Sequence, residues 1–263
     1  METGFELSLW VWVVIYAAML AAGMMQGMFG FGFPIIATPV TVLATDVKTA
    51  IVLNMLPTLT LNIVSIARGG NWGQSLGVYW RVAVYAAIGS FIGAQVVIYA
   101  PSEPLRLLLA AIIFAYLYQE RLARLDWGWL ARHPRTATAV FGTTAGFFSG
   151  SVNNSLPVLL IYFVLLNVSI TVMTQAMNFC FFFGRSVQAI TLGAAGEIGM
   201  AAALANIPLT LVAIGGHFVG TRIQRLFSAA TFRRMLTYIL FVIGLMLTVQ
   251  GLAWFVRRPE IVG

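Results

Sequence analysis

The stretch Gly27-Met-Phe-Gly-Phe-Gly-Phe-Pro34 decides how this chain folds. It sits between one long apolar run, residues 7–26, and a short one, residues 33–44. Glycine permits positive φ and close backbone approach, and proline is favoured in the first turn of a helix. The pattern therefore predicts a helix that stops and restarts near Pro34, with free N–H groups aimed at a cavity. Such an N-terminus attracts anions through its orphan donors and its dipole. A second stretch, Gly150-Ser-Val-Asn-Asn-Ser-Leu-Pro157, follows the run 137–151 and predicts the same break.

The two stretches belong to a wider internal repeat. Gly23, Gly27 and Pro34 recur as Gly146, Gly150 and Pro157, a shift of 123 residues (34 to 157). Asn54 falls on Asn178 after one inserted residue. Gly89, Gly93 and Arg106 fall on Gly216, Gly220 and Arg233, a shift of 127 (89 to 216). The order of the matches, with a slowly drifting shift, points to duplication. The small-xxx-small pairs Gly89/Gly93 and Gly216/Gly220 read as close helix packing.

Apolar runs continue almost to the end, at 49–67, 78–100, 105–118, 170–193, 200–221 and 235–256, with a second short run at 156–166. Charge sets their topology. The loop 119–135 carries Arg121, Arg124, Arg132 and Arg135 and is placed in the cytoplasm. If both short runs cross, Arg68, Arg81 and the loop with Arg222, Arg225, Arg233 and Arg234 are cytoplasmic too. Glu103, Glu197 and the acidic N-terminus, Glu2 and Glu6, then lie outside. Only Arg257 and Arg258 dissent. The expected fold is an all-α, polytopic membrane helix bundle. It is built from two inverted repeats of about five segments, each with a short broken helix. The first spans 1–118, a basic cytoplasmic linker 119–135, and the second 136–263.

Composition agrees. The 263 residues are 60% hydrophobic and 9% charged, against about 25% charged in a soluble domain. The net charge of +7 does not indicate nucleic acid, because the arginines lie in short gaps between apolar runs. The first run lacks the basic start of a cleaved signal. Cys180 is the only cysteine, which excludes an intrachain disulfide and a cysteine zinc site. The only lysine, Lys48, follows Val47, so there is no P-loop. His133 and His217 are the only histidines and form neither a zinc motif nor a serine-histidine-acid set. The aspartates lie at segment ends, which excludes an intramembrane aspartyl protease. No enzymatic role, cofactor or metal is expected.

The substrate-binding candidates are Gly30, Phe31, Gly32, Phe33 and Pro34 in the first break, and Asn153, Asn154, Ser155 and Pro157 in the second. Ser155 or Asn154 is the expected cap of the restarted helix. Asn54 and Asn178 are matched polar positions on two equivalent segments; interhelical hydrogen bonding is their alternative role. Arg185 lies well inside an apolar run with no interior carboxylate to pair it. An arginine there costs at least ~2.5–3.5 kcal/mol near the bilayer centre, so it needs an interior partner. Bonds to backbone carbonyls would serve; so would an anion from solution, held by the planar fork. His217 is the proton-coupling candidate.

The segment from Gly27 to Asn54, with its glycine-rich break, Pro34 and Pro39, resembles the TauE/SafE sulfite-exporter family, also called the toluene sulfonate uptake permease family. The second half repeats the pattern from Gly146 to Pro157, followed by Tyr162. Ala67-Arg-Gly-Gly-Asn-Trp72 is similar to that family's arginine-glycine stretch. Phe31 and Phe33 stand where many members have consecutive glycines. The resemblance covers most of the chain. It implies secondary transport, with export the frequent direction, of a small sulfur-containing anion such as sulfite, thiosulfate or an organosulfonate. The expected protein is thus a multi-pass transporter of the bacterial inner membrane, with its N-terminus outside. Its partners are a small anion, the lipid bilayer and, as one possible assembly, a second copy in a homodimer. Two other readings stay open: an anion channel, and a non-transporting membrane partner subunit.

Overall fold

The computed structural model describes residues 7–70, 72–224 and 229–257. Glu2, Glu6, Asn71, Arg225 and Arg258, weighed above, lie outside them. Every described element is a helix. The first half contains α1 (Leu9–Phe29), α2 (Phe33–Ala44), α3 (Val47–Leu53), α4 (Met55–Gly69), α5 (Trp72–Tyr99) and α6 (Ser102–Leu117). The basic linker carries two short helices, α7 (Gln119–Ala123) and α8 (Gly128–Arg132). The second half contains α9 (Pro134–Val152), α10 (Leu156–Leu165), α11 (Ile170–Ala194), α12 (Met200–Ile223) and α13 (Ala229–Arg257). Among the described residues α1, α5, α12 and Arg234–Trp254 of α13 are each long and apolar enough to cross a membrane.

Both expected breaks form. Gly30 ends α1 in the left-handed region at φ 78°, and Gly32 precedes α2 at φ 106°. Pro34 and Pro157 each sit in the first turn of the restarted helix. Asn153 ends α9 at φ 63°, a region asparagine tolerates better than most residues. Helices α2 and α10, with 12 and 10 residues, rise only ~18 and ~15 Å, short of a ~30 Å hydrocarbon core.

A third break was not foreseen. The run 49–67 is one segment by hydropathy, yet it divides at Asn54 into α3 and α4, bent by 44°. Pro57 is the cause, because its ring has no N–H for the Leu53 carbonyl and clashes with it. One turn away, the amide of Asn206 enters the gap. Its Nδ2 donates to Val52 O at 3.0 Å, and its Oδ1 accepts from Leu56 N at 3.2 Å. A side chain from α12 thus supplies both halves of the backbone bond that a straight helix would make there.

Helix α1 packs along α12, and α5 along α9. Both crossings use the glycines noted above. A Cβ on Gly23 or Gly27 would overlap the carbonyl oxygens of Ala213 and His217, and one on Gly216 or Gly220 those of Leu20 and Met24. Likewise Gly146 and Gly150 abut the carbonyls of Ala86 and Ser90, and Gly89 and Gly93 those of Thr143 and Phe147. With little hydrophobic drive between helices in lipid, this backbone proximity supplies the van der Waals contact that holds them.

Two ends of the bundle differ in charge. A basic end gathers Phe29, Arg124 and Val164 around one cavity, and Phe29, Arg68, Thr171 and Gln224 around another. At the acidic end Lys48, Val97, Leu192 and Glu197 share a cavity. There Arg106 Nη2 donates to Thr45 O at 3.3 Å, and Ser102 Oγ donates to Asp46 Oδ1 at 3.2 Å. Helix α2 therefore leads from its break to the acidic end. Helix α10 leads back to the basic end, where Tyr162 Oη and Thr138 Oγ1 lie 3.0 Å apart.

Candidate functional site

The two breaks meet. A small cavity of about 10 Å³ is lined by Gly32 and Pro34 from the first and by Asn153, Asn154, Ser155 and Leu156 from the second, with Phe181 and Arg185 of α11. This volume is about that of one water-sized probe. Gly30, Phe31, Phe33, Pro157, Asn54, Asn178 and His217 do not line it.

Arg185 is 2% exposed and faces the end of α9. Its Nη1 donates to Ser149 O at 3.0 Å, to Gln188 Oε1 at 2.6 Å and to Asn153 Oδ1. Its Nη2 donates to Asn153 O at 2.7 Å. Gln188 Nε2 joins them, donating to Gly150 O at 2.7 Å. The last carbonyls of a helix carry its negative dipole end and lack helical donors. The guanidinium is therefore compensated by the broken end of α9, where an anion from solution was the other expected partner. Only Nε remains without a partner.

The second break is short of partners elsewhere. Asn153 Nδ2 and both amide atoms of Asn154 are buried and make no hydrogen bond. Neither expected cap of α10 forms: Ser155 makes no side-chain cap bond, and the Asn154 amide is unengaged. Ser155 has φ −111° and ψ 2°, outside the extended region from which a capping side chain reaches back over the first turn. Most buried polar atoms in proteins are paired, so this concentration of unpartnered amide atoms beside a guanidinium is unusual.

The first break is satisfied internally. Gln26 Oε1 accepts from Phe33 N at 3.0 Å, and Gln26 Nε2 donates to Ser65 Oγ and Asn178 Oδ1, each at 3.0 Å. Asn178 Nδ2 donates to Gly30 O at 2.7 Å and Thr174 O at 2.8 Å. Asn178 thus makes interhelical hydrogen bonds to Gln26 and Gly30. Phe33 is buried among Ile15, Met19 and Leu53. Phe31 faces an apolar cavity of about 490 Å³ at the basic end. Asn54, the match of Asn178, is fully buried at the α3–α4 break with both amide atoms unpartnered. Pro157 is buried in the first turn of α10.

His217 lies apart from the central cavity, in a vestibule of about 300 Å³ at the basic end. Its Nε2 is 3.1 Å from Arg68 Nη1. Gln26 and Asn206 escaped the sequence reading. Gln26 is a polar residue one position before the glycine break, and Pro57 inside an apolar run foretold the gap that Asn206 fills.

A model of the sulfite exporter TauE/SafE family matches residues 15–247. The chain belongs to the sulfite exporter TauE/SafE family. The match covers both breaks, α3 through α12 and most of α13. Membership makes this a multi-pass membrane transport protein, consistent with its apolar spanning helices. No curated protein and no solved structure matches the chain.

Proposed function

We propose that this TauE/SafE family chain is a secondary transporter that exports a small sulfur-containing anion, such as sulfite, thiosulfate or an organosulfonate, by alternating access. The observation that carries this reading is the meeting of the two breaks around Asn153, Asn154 and Arg185, where buried donors outnumber their acceptors. An oxyanion accepts from Asn153 Nδ2, Asn154 Nδ2, Arg185 Nε and the first N–H groups of α10. It brings the acceptors that the protein does not supply there.

The halves work as inverted five-segment repeats on either side of the linker, in the inner membrane of a bacterium with the N-terminus outside. The reciprocal packing of α1 on α12 and α9 on α5 supports this, since each half gives its first segment to the fourth of the other. Rocking of one half against the other widens the cavity from one end and then the other. Proton coupling belongs to the same proposal. His217 takes a proton at Nε2 only by giving up its bond to Arg68.

The test is flux. Purified protein in liposomes should move radiolabelled sulfite, thiosulfate or a sulfonate saturably, with counter-flow across the membrane. Large unitary currents would instead show a channel. Failure of every sulfur anion, with carboxylates or cations moving in their place, overturns the reading.

A further inference from the structure

Duplication places a cavity at each end of the bundle, and the two share matched lining positions. Lys48, Val97 and Leu192 line the one at the acidic end; Thr171, Gln224 and Arg68 line the one at the basic end. Each pair keeps the local shift of the repeat: 123 from Lys48 to Thr171, 124 from Arg68 to Leu192, and 127 from Val97 to Gln224. The cavities hold about 200 and 300 Å³, ample for a small oxyanion.

Their helix N-termini are finished differently. At the acidic end α3 begins at Asp46, whose carboxylate accepts from Lys48 N at 2.9 Å and Thr49 N at 3.2 Å. The matched helix α11 begins at Ser169, again a shift of 123, and Ser169 makes no side-chain cap bond. One N-terminus thus holds a carboxylate of its own chain, and the other presents orphan N–H groups to the vestibule.

The vestibule is matched to a negative guest on two further counts. Among the described residues its lining has a guanidinium, Arg68, and no carboxylate, whereas Glu197 lines the opposite cavity. His217 also lines it, only 3% exposed. Guanidinium nitrogens only donate, so Arg68 Nη1 assigns the Nε2 of His217 as acceptor and puts the ring proton on Nδ1. That Nδ1 donor is buried and has no partner among the described residues.

We propose that the vestibule at the N-terminus of α11 is a second anion site, where Arg68, His217 and the open N–H groups of α11 capture a small oxyanion before it reaches the central cavity. This rests on the transport reading above for its place in the cycle, though not for the binding itself. Gln26 and Gly30 line the vestibule, and Gly30 is two residues from the Gly32 that lines the central cavity. Asp46 shows in this chain what an α11 N-terminus filled by an anion looks like.

Ser169→Asp supplies that anion permanently, and Arg68→Gln removes the charge. Crystals of the full chain soaked in selenite, an anomalous-scattering analogue of sulfite, should show a peak beside Arg68 that is absent from both variants. In liposomes each variant should raise the KM for sulfite at least tenfold, and Ser169→Asp should do so with the maximal rate within twofold of the parent. Thermal unfolding of Ser169→Asp at or above the parent temperature keeps misfolding out of the comparison. No vestibule peak in the parent, or unchanged KM in both variants, overturns the proposal while leaving transport intact. A vestibule peak in a protein that moves no sulfur anion upholds this site and overturns the transport reading.

Discussion

Arg185 Nη2 donates to the carbonyl oxygen of Asn153 at 2.7 Å, tying the middle of α11 to the broken end of α9. The bond holds the second break open in the left-handed conformation of Asn153. It also removes the largest electrostatic cost of an arginine in oil, because the charge sits on a cluster of carbonyl dipoles. Arg185→Met leaves Asn153 O, Asn153 Oδ1 and Gln188 Oε1 buried without this donor and should destabilise the protein by on the order of 3 kcal/mol. Thermal or denaturant unfolding in detergent checks it. Arg185→Lys should recover only part, because an ammonium cannot reach Ser149 O and Asn153 O as a fork does.

How much of this was legible in advance follows from what each residue needs. The breaks at Gly30–Pro34 and Asn153–Pro157 were readable because glycine, asparagine and proline act through their own backbone. The short helix α2 runs over the expected residues 33–44. Arg185 was visible as a charge in an apolar run, but its partners were not, since Ser149 and Asn153 lie 36 and 32 residues away. Gln26 and Asn206 were invisible for the same reason: their roles are hydrogen bonds to Asn178 and Val52, 152 and 154 residues distant. Hydropathy averages over a window, so it merged α3 and α4 although Pro57 marked the division.

Asn154 tests the central cavity directly. Its amide has no partner among the described residues, so Asn154→Ala should leave the unfolding temperature unchanged or raise it. If the amide binds substrate, the same change should raise the KM for sulfite about tenfold, equivalent to ~1.4 kcal/mol. Initial rates in liposomes over a concentration series separate the two effects.

Asn206 and Pro57 should be coupled. Asn206→Leu strands Val52 O and Leu56 N and should cost roughly 3 kcal/mol, because two buried groups lose their partners. Pro57→Ala restores the missing N–H and lets α3 and α4 join as one ladder. The double variant should therefore be more stable than the sum of the singles by at least ~1 kcal/mol, read from a double-mutant cycle.

The glycines sort by what lies against them. Gly146→Val drives a side chain into Ala86 O and should destabilise by about 1–3 kcal/mol. Gly77 on the same partner helix, α5, has nothing within 4 Å of its added Cβ. Gly77→Ala should be tolerated and should gain up to ~1 kcal/mol from helix propensity. Unfolding midpoints of the two variants, measured side by side, check the contrast.

The pairing of α1 with α12 also has a consequence for biogenesis. Helix α1 ends at Phe29 and its partner at Ile223. Translation at ~5–20 residues per second puts roughly 10–40 s between their emergence from the ribosome. Throughout that interval the grooved glycine face of α1 stands in lipid or on an insertion factor, unmatched. Chains truncated upstream of α12 should accordingly be recognised by membrane quality-control proteases, however well their earlier segments insert.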